Sequence, residues 1–226
     1  MQKIGIAAEQ NRIPGLELAG VVASDTINAA KGIQRALQLG VPVLVSNPDN
    51  FRGDDGKVDA YGFGQNLLKQ IKYLGASVVT QNGWLPRTPE NVLEAFEKTI
   101  FNQHPGPLPE TKNLHGTQPH ATMLRFANLT GNPYGGTEVV THRVVSGMDE
   151  GILVGTRHVP TYPRDWPKRL QARALPVEHQ LQIDMLNQFV TGSLVETAQE
   201  HNFMLPGEEK ELREARKYAR KLYPNG

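Results

Sequence analysis

The stretch "FNQHPGPLPE" (101–110) sets an amide, Asn102, two residues ahead of an imidazole, His104, and follows them with three prolines in five positions. Pro105 disfavours helical backbone at His104, and in an extended segment residues i and i+2 point to the same side. The amide and the imidazole therefore share a face. Such a pair can hydrogen-bond an oxyanion, and a histidine can also move protons near neutral pH. On spacing alone, a catalytic and a structural reading of His104 both stand. Asp149 is the second candidate, in the turn "GMDEG" (147–151) between two β-rich runs. Taken by itself it is ordinary turn chemistry.

Other chemistries find little support. The chain has no cysteine, which removes disulfides, zinc–thiolate sites and thiol nucleophiles. His115, His120, His142, His158, His179 and His201 fall into no metal-ligand spacing, so no metal is expected. The Gly-x-Gly in "YGFGQN" has no strand directly before it and is a poor dinucleotide fingerprint. No G-x-S-x-G elbow occurs.

These residues need elements to hold them, and the first half supplies an alternation of short β-rich runs and helical patterns. Strands are expected at 16–24, 41–46, 76–81 and 99–102. Between them, helices are expected at 27–40, with Ile27, Ala30, Ile33 and Leu37 on one face, and at 65–75, with Leu67, Leu68, Ile71 and Leu74 inward. Thr88 has the chemistry of an N-cap with Pro89 at the first helical position. Residues 47–62 read as turns. This rhythm implies a parallel sheet flanked by helices, with sites beyond the carboxyl ends of its strands; the opening motif lies there. Later come two strands (136–145 and 151–160) and a helix from Val177 carrying Leu181, Met185, Leu186 and Phe189, closed by Gly192. The tail from Pro206 opens acidic and ends basic, the pattern of a solvated amphipathic helix.

The composition is that of a globular protein: 226 residues, 38% hydrophobic, 21% charged, net charge +1. The near-zero charge argues against a nucleic-acid partner held through phosphates, and no apolar run reaches bilayer length. No signal peptide is evident, and a cytoplasmic location is expected.

With these motifs in order, the chain resembles the folate-dependent formyltransferases, and within them the purine-synthesis enzymes that act on glycinamide ribonucleotide. The family's Asn-x-His-Pro stands here as "NQHP" (102–105) and its Asp-x-Gly as "DEG" (149–151). His142 matches a histidine those enzymes carry seven residues before the aspartate. "NGWLPRTP" (82–89) is similar to the segment that holds the pterin ring, and "EHQLQIDMLNQFVTGSL" (178–194) to their C-terminal helix.

The resemblance covers roughly residues 1 to 195. It implies a single Rossmann-like α/β formyltransferase domain over 1–226: a parallel half (1–103), a catalytic and folate-binding half (104–195) and a helical tail (196–226). It implies a catalytic trio of Asn102, His104 and Asp149, with His142 in support. Leu85, Pro86, Arg87, Thr88 and Asn102 would line the folate pocket. Asn102 and a protonated His104 would steady charge on the formyl oxygen while Asp149 keeps His104 cationic. The substrates implied are 10-formyltetrahydrofolate, consumed as co-substrate with no bound cofactor, and glycinamide ribonucleotide; the oligomeric state stays open. The alternatives are formyl transfer to methionyl-tRNA or an amino sugar, formyltetrahydrofolate hydrolysis, or a non-catalytic folate-binding fragment. Two departures stand out. "MQKIGIAAEQNRIPG" reads as the helix that follows the family's first strand and glycine-rich phosphate loop, both of which are missing from this sequence. That implies a truncated or mis-started chain that binds folate better than a phosphorylated acceptor. The connection around "RFANLTGNPYGG" is also longer than in the family.

Overall fold

The computed structural model describes residues 1–25, 27, 29–132, 135–198 and 202–226; His201 and part of the long connection lie outside them. The chain divides into two compact units, Met1–Asn102 with Arg143–Gly147, and Gln103–His142 with Met148–Gly226.

The first unit runs α1 (Gln2–Glu9), β1 (Val21–Ala23), α2 (Ala30–Gln38), β2 (Val43–Val45), a 3-10 turn (Pro48–Phe51), α3 (Ala60–Tyr73), β3 (Val79–Gln81), α4 (Glu90–Ala95) and β4 (Ile100–His104), whose last two residues belong to the second unit. β1 pairs parallel with β2, Val21 opposite Val43. β3 pairs parallel with β4, Gln81 opposite Asn102. The parallel α/β class expected from the alternation is present. The core here is Phe63, Leu67, Ile71 and Val92, with Trp84 stacked on Phe63 at 6.3 Å between ring centroids. α1 forms where the N-terminal pattern indicated a helix.

Several boundaries differ from expectation for identifiable reasons. The strands are shorter, three residues each in β1, β2 and β3. α2 starts later: the Ile27 amide donates to Asp25 Oδ1 at 2.8 Å, an Asx turn ahead of the helix. The proposed inward face fails with it, since Ile27 is 84% and Leu37 63% exposed and Ala36 is the buried residue. α3 starts earlier than 65, because Asp59 caps it by accepting from the Gly62 amide at 3.0 Å. "YGFGQN" is therefore helical. Gly64 serves packing there, since a Cβ at that position would sit 1.9 Å from Asn91 Oδ1 on α4. Thr88 is not the cap of α4; its hydroxyl accepts from Gln81 Nε2 at 2.6 Å, and Pro89 takes the cap position.

The second unit holds α5 (Gln118–Leu129), β5 (Thr137–Arg143, whose last residue belongs to the first unit), β6 (Leu153–Val159), α6 (Pro167–Val190) and α7 (Glu209–Leu222). β5 and β6 pair antiparallel from Thr137 opposite Val159, with a register shift between Thr141 and His142. One core joins Leu124, Val139, Val159, Leu170, Ala174 and Leu181. α6 is 24 residues long and carries Pro176 inside it, so it starts ten residues ahead of Val177. Its first turns are tied by Asp165, which binds Arg173 through both oxygens at 2.7 Å. α5 had no helical signal in sequence, because every residue from Gln118 to Met123 is buried and no polar face breaks the pattern. α7 corrects the expectation of a solvated tail: it is amphipathic, but Leu212 and Ala215 pack with Met123 and Phe126 of α5. Among the described residues no helix is long and apolar enough to cross a membrane.

Candidate active site

β4 carries Asn102 and His104 at alternate positions. Asn102, opposite Gln81, is half-buried, and His104 is 3% exposed. Beyond His104 the chain turns through Pro105 and Gly106. Gly106 is required by proximity: a Cβ there would lie 2.4 Å from Thr111 Oγ1 and 3.0 Å from Pro119 Cβ. Its absence lets the chain fold back, so that Thr111 Oγ1 meets His104 Nε2 at 2.9 Å. The same hydroxyl donates to the Pro107 carbonyl at 2.7 Å, which leaves its oxygen to accept an N–H from Nε2.

The other face of the imidazole meets Asp149. His104 Nδ1 stands 3.5 Å from Asp149 Oδ2, and His142 Nε2 stands 3.6 Å from Asp149 Oδ1. The Asn113 amide donates to Asp149 Oδ2 at 2.9 Å. The structure thus brings His104, His142 and Asp149 together within the second unit. The register shift beside His142 belongs to this geometry, since a bulge re-aims the side chain next to it. Asp149 itself has left-handed backbone, φ 55°, a conformation aspartate tolerates better than most residues.

Burial sets the charges. It pushes His104 down to about 4, against the pull of Asp149 and with the push of His142; the bond to Thr111 raises it only slightly. Burial thus favours a neutral resting imidazole, against the cationic state expected for His104. The wiring around the ring nevertheless suits an imidazolium, with a hydroxyl oxygen at one nitrogen and a carboxylate at the other. Asp149 is held below the usual carboxylate range: burial raises it, but the His142 hydrogen bond, His104 and the Asn113 amide together outweigh burial. Among the described residues no His, Asp and Glu cluster is arranged to hold a metal ion.

The segment proposed for the pterin lies in the first unit. Leu85 is 60% exposed, Arg87 Nη2 donates to the Ser146 carbonyl at 2.9 Å, and Thr88 is fixed by Gln81. Pro86 lies between them, in non-helical chain.

Sequence reading missed four participants. Thr111 and Asn113 hold His104 and Asp149 through a hydroxyl and a backbone amide, which leave no spacing signal. His120, in the first turn of α5, is 1% exposed and is pushed down to about 4 by burial and then by His104. Glu178, whose carbonyl accepts from Gln103 Nε2 at 2.6 Å, has its carboxyl raised by burial to about 7. Glu178 was visible as the start of the "EH" segment, but nothing in the sequence marked its burial.

Known proteins share this arrangement of chain. The formyl transferase family model matches residues 1–186. The chain is 29% identical over 157 residues to the chloroplastic phosphoribosylglycinamide formyltransferase of Arabidopsis thaliana, a match covering 69% of this chain and 50% of that protein. It is 26% identical over 194 residues to the phosphoribosylglycinamide formyltransferase of Haemophilus influenzae, covering 86% and 83%. The chain thus spans about half the length of the plant relative and most of the bacterial one. Among solved structures, glycinamide ribonucleotide transformylase 1 from Symbiobacterium toebii superposes with a TM-score of 0.71 at 26% identity, over 88% of this chain and 85% of that one.

Proposed function

Because this chain belongs to the formyl transferase family, we propose that it transfers a formyl group from 10-formyltetrahydrofolate to the amine of glycinamide ribonucleotide. The observation that carries the reading is the Asp149 carboxylate set between two buried imidazoles, His104 at 3.5 Å and His142 at 3.6 Å. The relatives named as phosphoribosylglycinamide formyltransferases support the choice of acceptor.

In this mechanism the amine lone pair attacks the formyl carbon and the carbonyl π pair moves onto oxygen. Asn102 donates its amide hydrogen to that oxygen. His104 is neutral at rest because burial holds it near 4. Negative charge growing beside it raises its proton affinity, so the imidazole can take up the proton that the attacking nitrogen sheds and pass it on as the leaving nitrogen departs. Asp149 orients the ring and balances that charge. The surplus proton leaves the attacking nitrogen and reaches the folate nitrogen, the bond from the formyl carbon to that nitrogen breaks, and the carbonyl re-forms. Leu85, Pro86, Arg87 and Thr88 would take the pterin, with the exposed Leu85 offering an apolar surface. The folate is consumed, and no resident cofactor enters.

A direct test follows the absorbance of a 10-formylfolate substrate with and without glycinamide ribonucleotide. Turnover that requires the nucleotide is the expected result. Loss of the formyl group at equal rate without it would assign a hydrolase, and binding without turnover would leave a folate-binding module. A cytoplasmic location is part of the proposal; the plant relatives bear chloroplastic names.

A further inference from the structure

Three consecutive residues hold the reacting pair. Thr111 bonds the His104 ring, Asn113 donates its amide to Asp149, and the Lys112 ammonium pairs with Glu150, next to Asp149. Two of the residues in this knot, Asn113 and Asp149, have positive φ, 61° and 55°. Such backbone persists only where the surroundings over-determine it. What holds the turn from outside is the Lys112 carbonyl, which accepts from Arg216 Nη2 at 2.7 Å.

Arg216 belongs to α7, beyond the residues 1–186 that match the family. The helix is fastened along α5 by Leu212 and Ala215 against Met123 and Phe126, by the Arg125–Glu214 pair at 2.6 Å, and by Gln118 Nε2 donating to the Tyr223 carbonyl at 2.7 Å. Arg216 is half-buried, and burial, then Arg220, lowers its pKa. A guanidinium kept partly from water at one carbonyl restrains that carbonyl more firmly than a solvated lysine.

We propose that α7 is a positioning element for the reaction, with Arg216 as the positioning residue that fixes the Thr111–Lys112–Asn113 turn and, through it, the relative placement of His104 and Asp149. The inference rests on the formyl-transfer reading only for what the pair does; the mechanical link is independent of it.

The test compares Arg216→Ala, Arg216→Lys and the control Glu214→Gln in the full chain. Glu214→Gln weakens the same helix interface without touching Lys112. The readouts are kcat and KM for each substrate, the thermal midpoint, and the His104 imidazole titration followed by nuclear magnetic resonance. That ring is faced by Asp149, His142, His120 and Thr111, none of which is altered. Arg216→Ala should lower kcat about tenfold with little change in KM, the loss of one charge-assisted hydrogen bond's worth of restraint. It should also move the His104 titration upward, because a loosened turn admits water. Arg216→Lys should recover part of both effects, and Glu214→Gln should change neither. An Arg216→Ala variant with a lower thermal midpoint but wild-type kcat and titration would overturn the proposal, leaving Arg216 a plain stabilising contact. If the wild-type chain proves inactive, the titration still decides: an unmoved His104 rejects the link, and a shifted one upholds it.

Discussion

Asn102, His104 and Asp149 differ in what their substitution should disturb. On the proposed mechanism Asn102→Ala takes away an oxyanion donor and should cut turnover about 10²–10³-fold with little change in thermal midpoint; His104→Ala should do at least as much. Measuring rate per folded molecule beside stability separates this from a structural role, in which stability falls and rate survives. At Asp149 the better probe is Asn. Its left-handed φ of 55° suits asparagine nearly as well as aspartate, so Asp149→Asn tests charge rather than backbone. Without the carboxylate, His104 loses the negative charge that pulls its pKa upward and should titrate lower still. Activity should drop sharply while circular dichroism remains unchanged. A rate within twofold of wild type would remove Asp149 from the mechanism.

At the scale of elements, much of the frame could be read in the chain and the failures share a cause. Alternating patterns located β3, β4, β5 and β6 because each lies beside turn residues that bound it. α5 escaped because a helix buried on almost all sides shows no period. α6 was cut short at Pro176, a residue that ends most helices by removing an amide donor and crowding the preceding turn. Here the helix passes through it, with the Asp165–Arg173 ion pair and buried Leu170 and Ala174 holding the turns before it. Those contacts are tertiary, and no local pattern announces them. Tolerated is not costless: Pro176→Ala should stabilise the protein by about 1–3 kcal/mol, read as a higher urea midpoint at unchanged m-value. The candidate site divides similarly. Its named side chains were legible from two motifs, whereas the turn that holds them depends on a hydroxyl, an amide and a helix some hundred positions away, separated from Lys112 by 104 residues.

For the whole molecule, buried titratable groups set the response to acid. His104 and His120 are both lowered to about 4. Between that value and the unfolded one near 6.5, only the unfolded chain holds their protons, so stability rises with pH. Glu178, raised to about 7, acts oppositely: from about 4.5 to 7 the folded chain holds the extra proton, and stability falls as pH rises. The Met1 amine, lowered from 8.0 to about 6, adds to the rise mainly above about pH 6, and Asp149 acts below about pH 4. Around pH 5–6 the net is two protons minus one, so stability should climb by about 1.4 kcal/mol per pH unit. Glu178→Gln should roughly double that slope in urea titrations across the window. An unchanged slope would mean that Glu178 is not protonated in the folded state.

The reach of α7 also bears on how the protein is made. Synthesis proceeds from the N-terminus, and domains tend to fold as their residues emerge. Arg216 leaves the ribosome long after the turn it steadies, and Tyr223, 105 positions beyond Gln118, later still. A nascent chain can therefore carry every motif of the site before Arg216 is available to the Lys112 carbonyl. A chain cut between Asp149 and Arg216 would be recognisable by motif and yet, on the proposal above, slow in turnover, because the residue that fastens its catalytic turn would be missing.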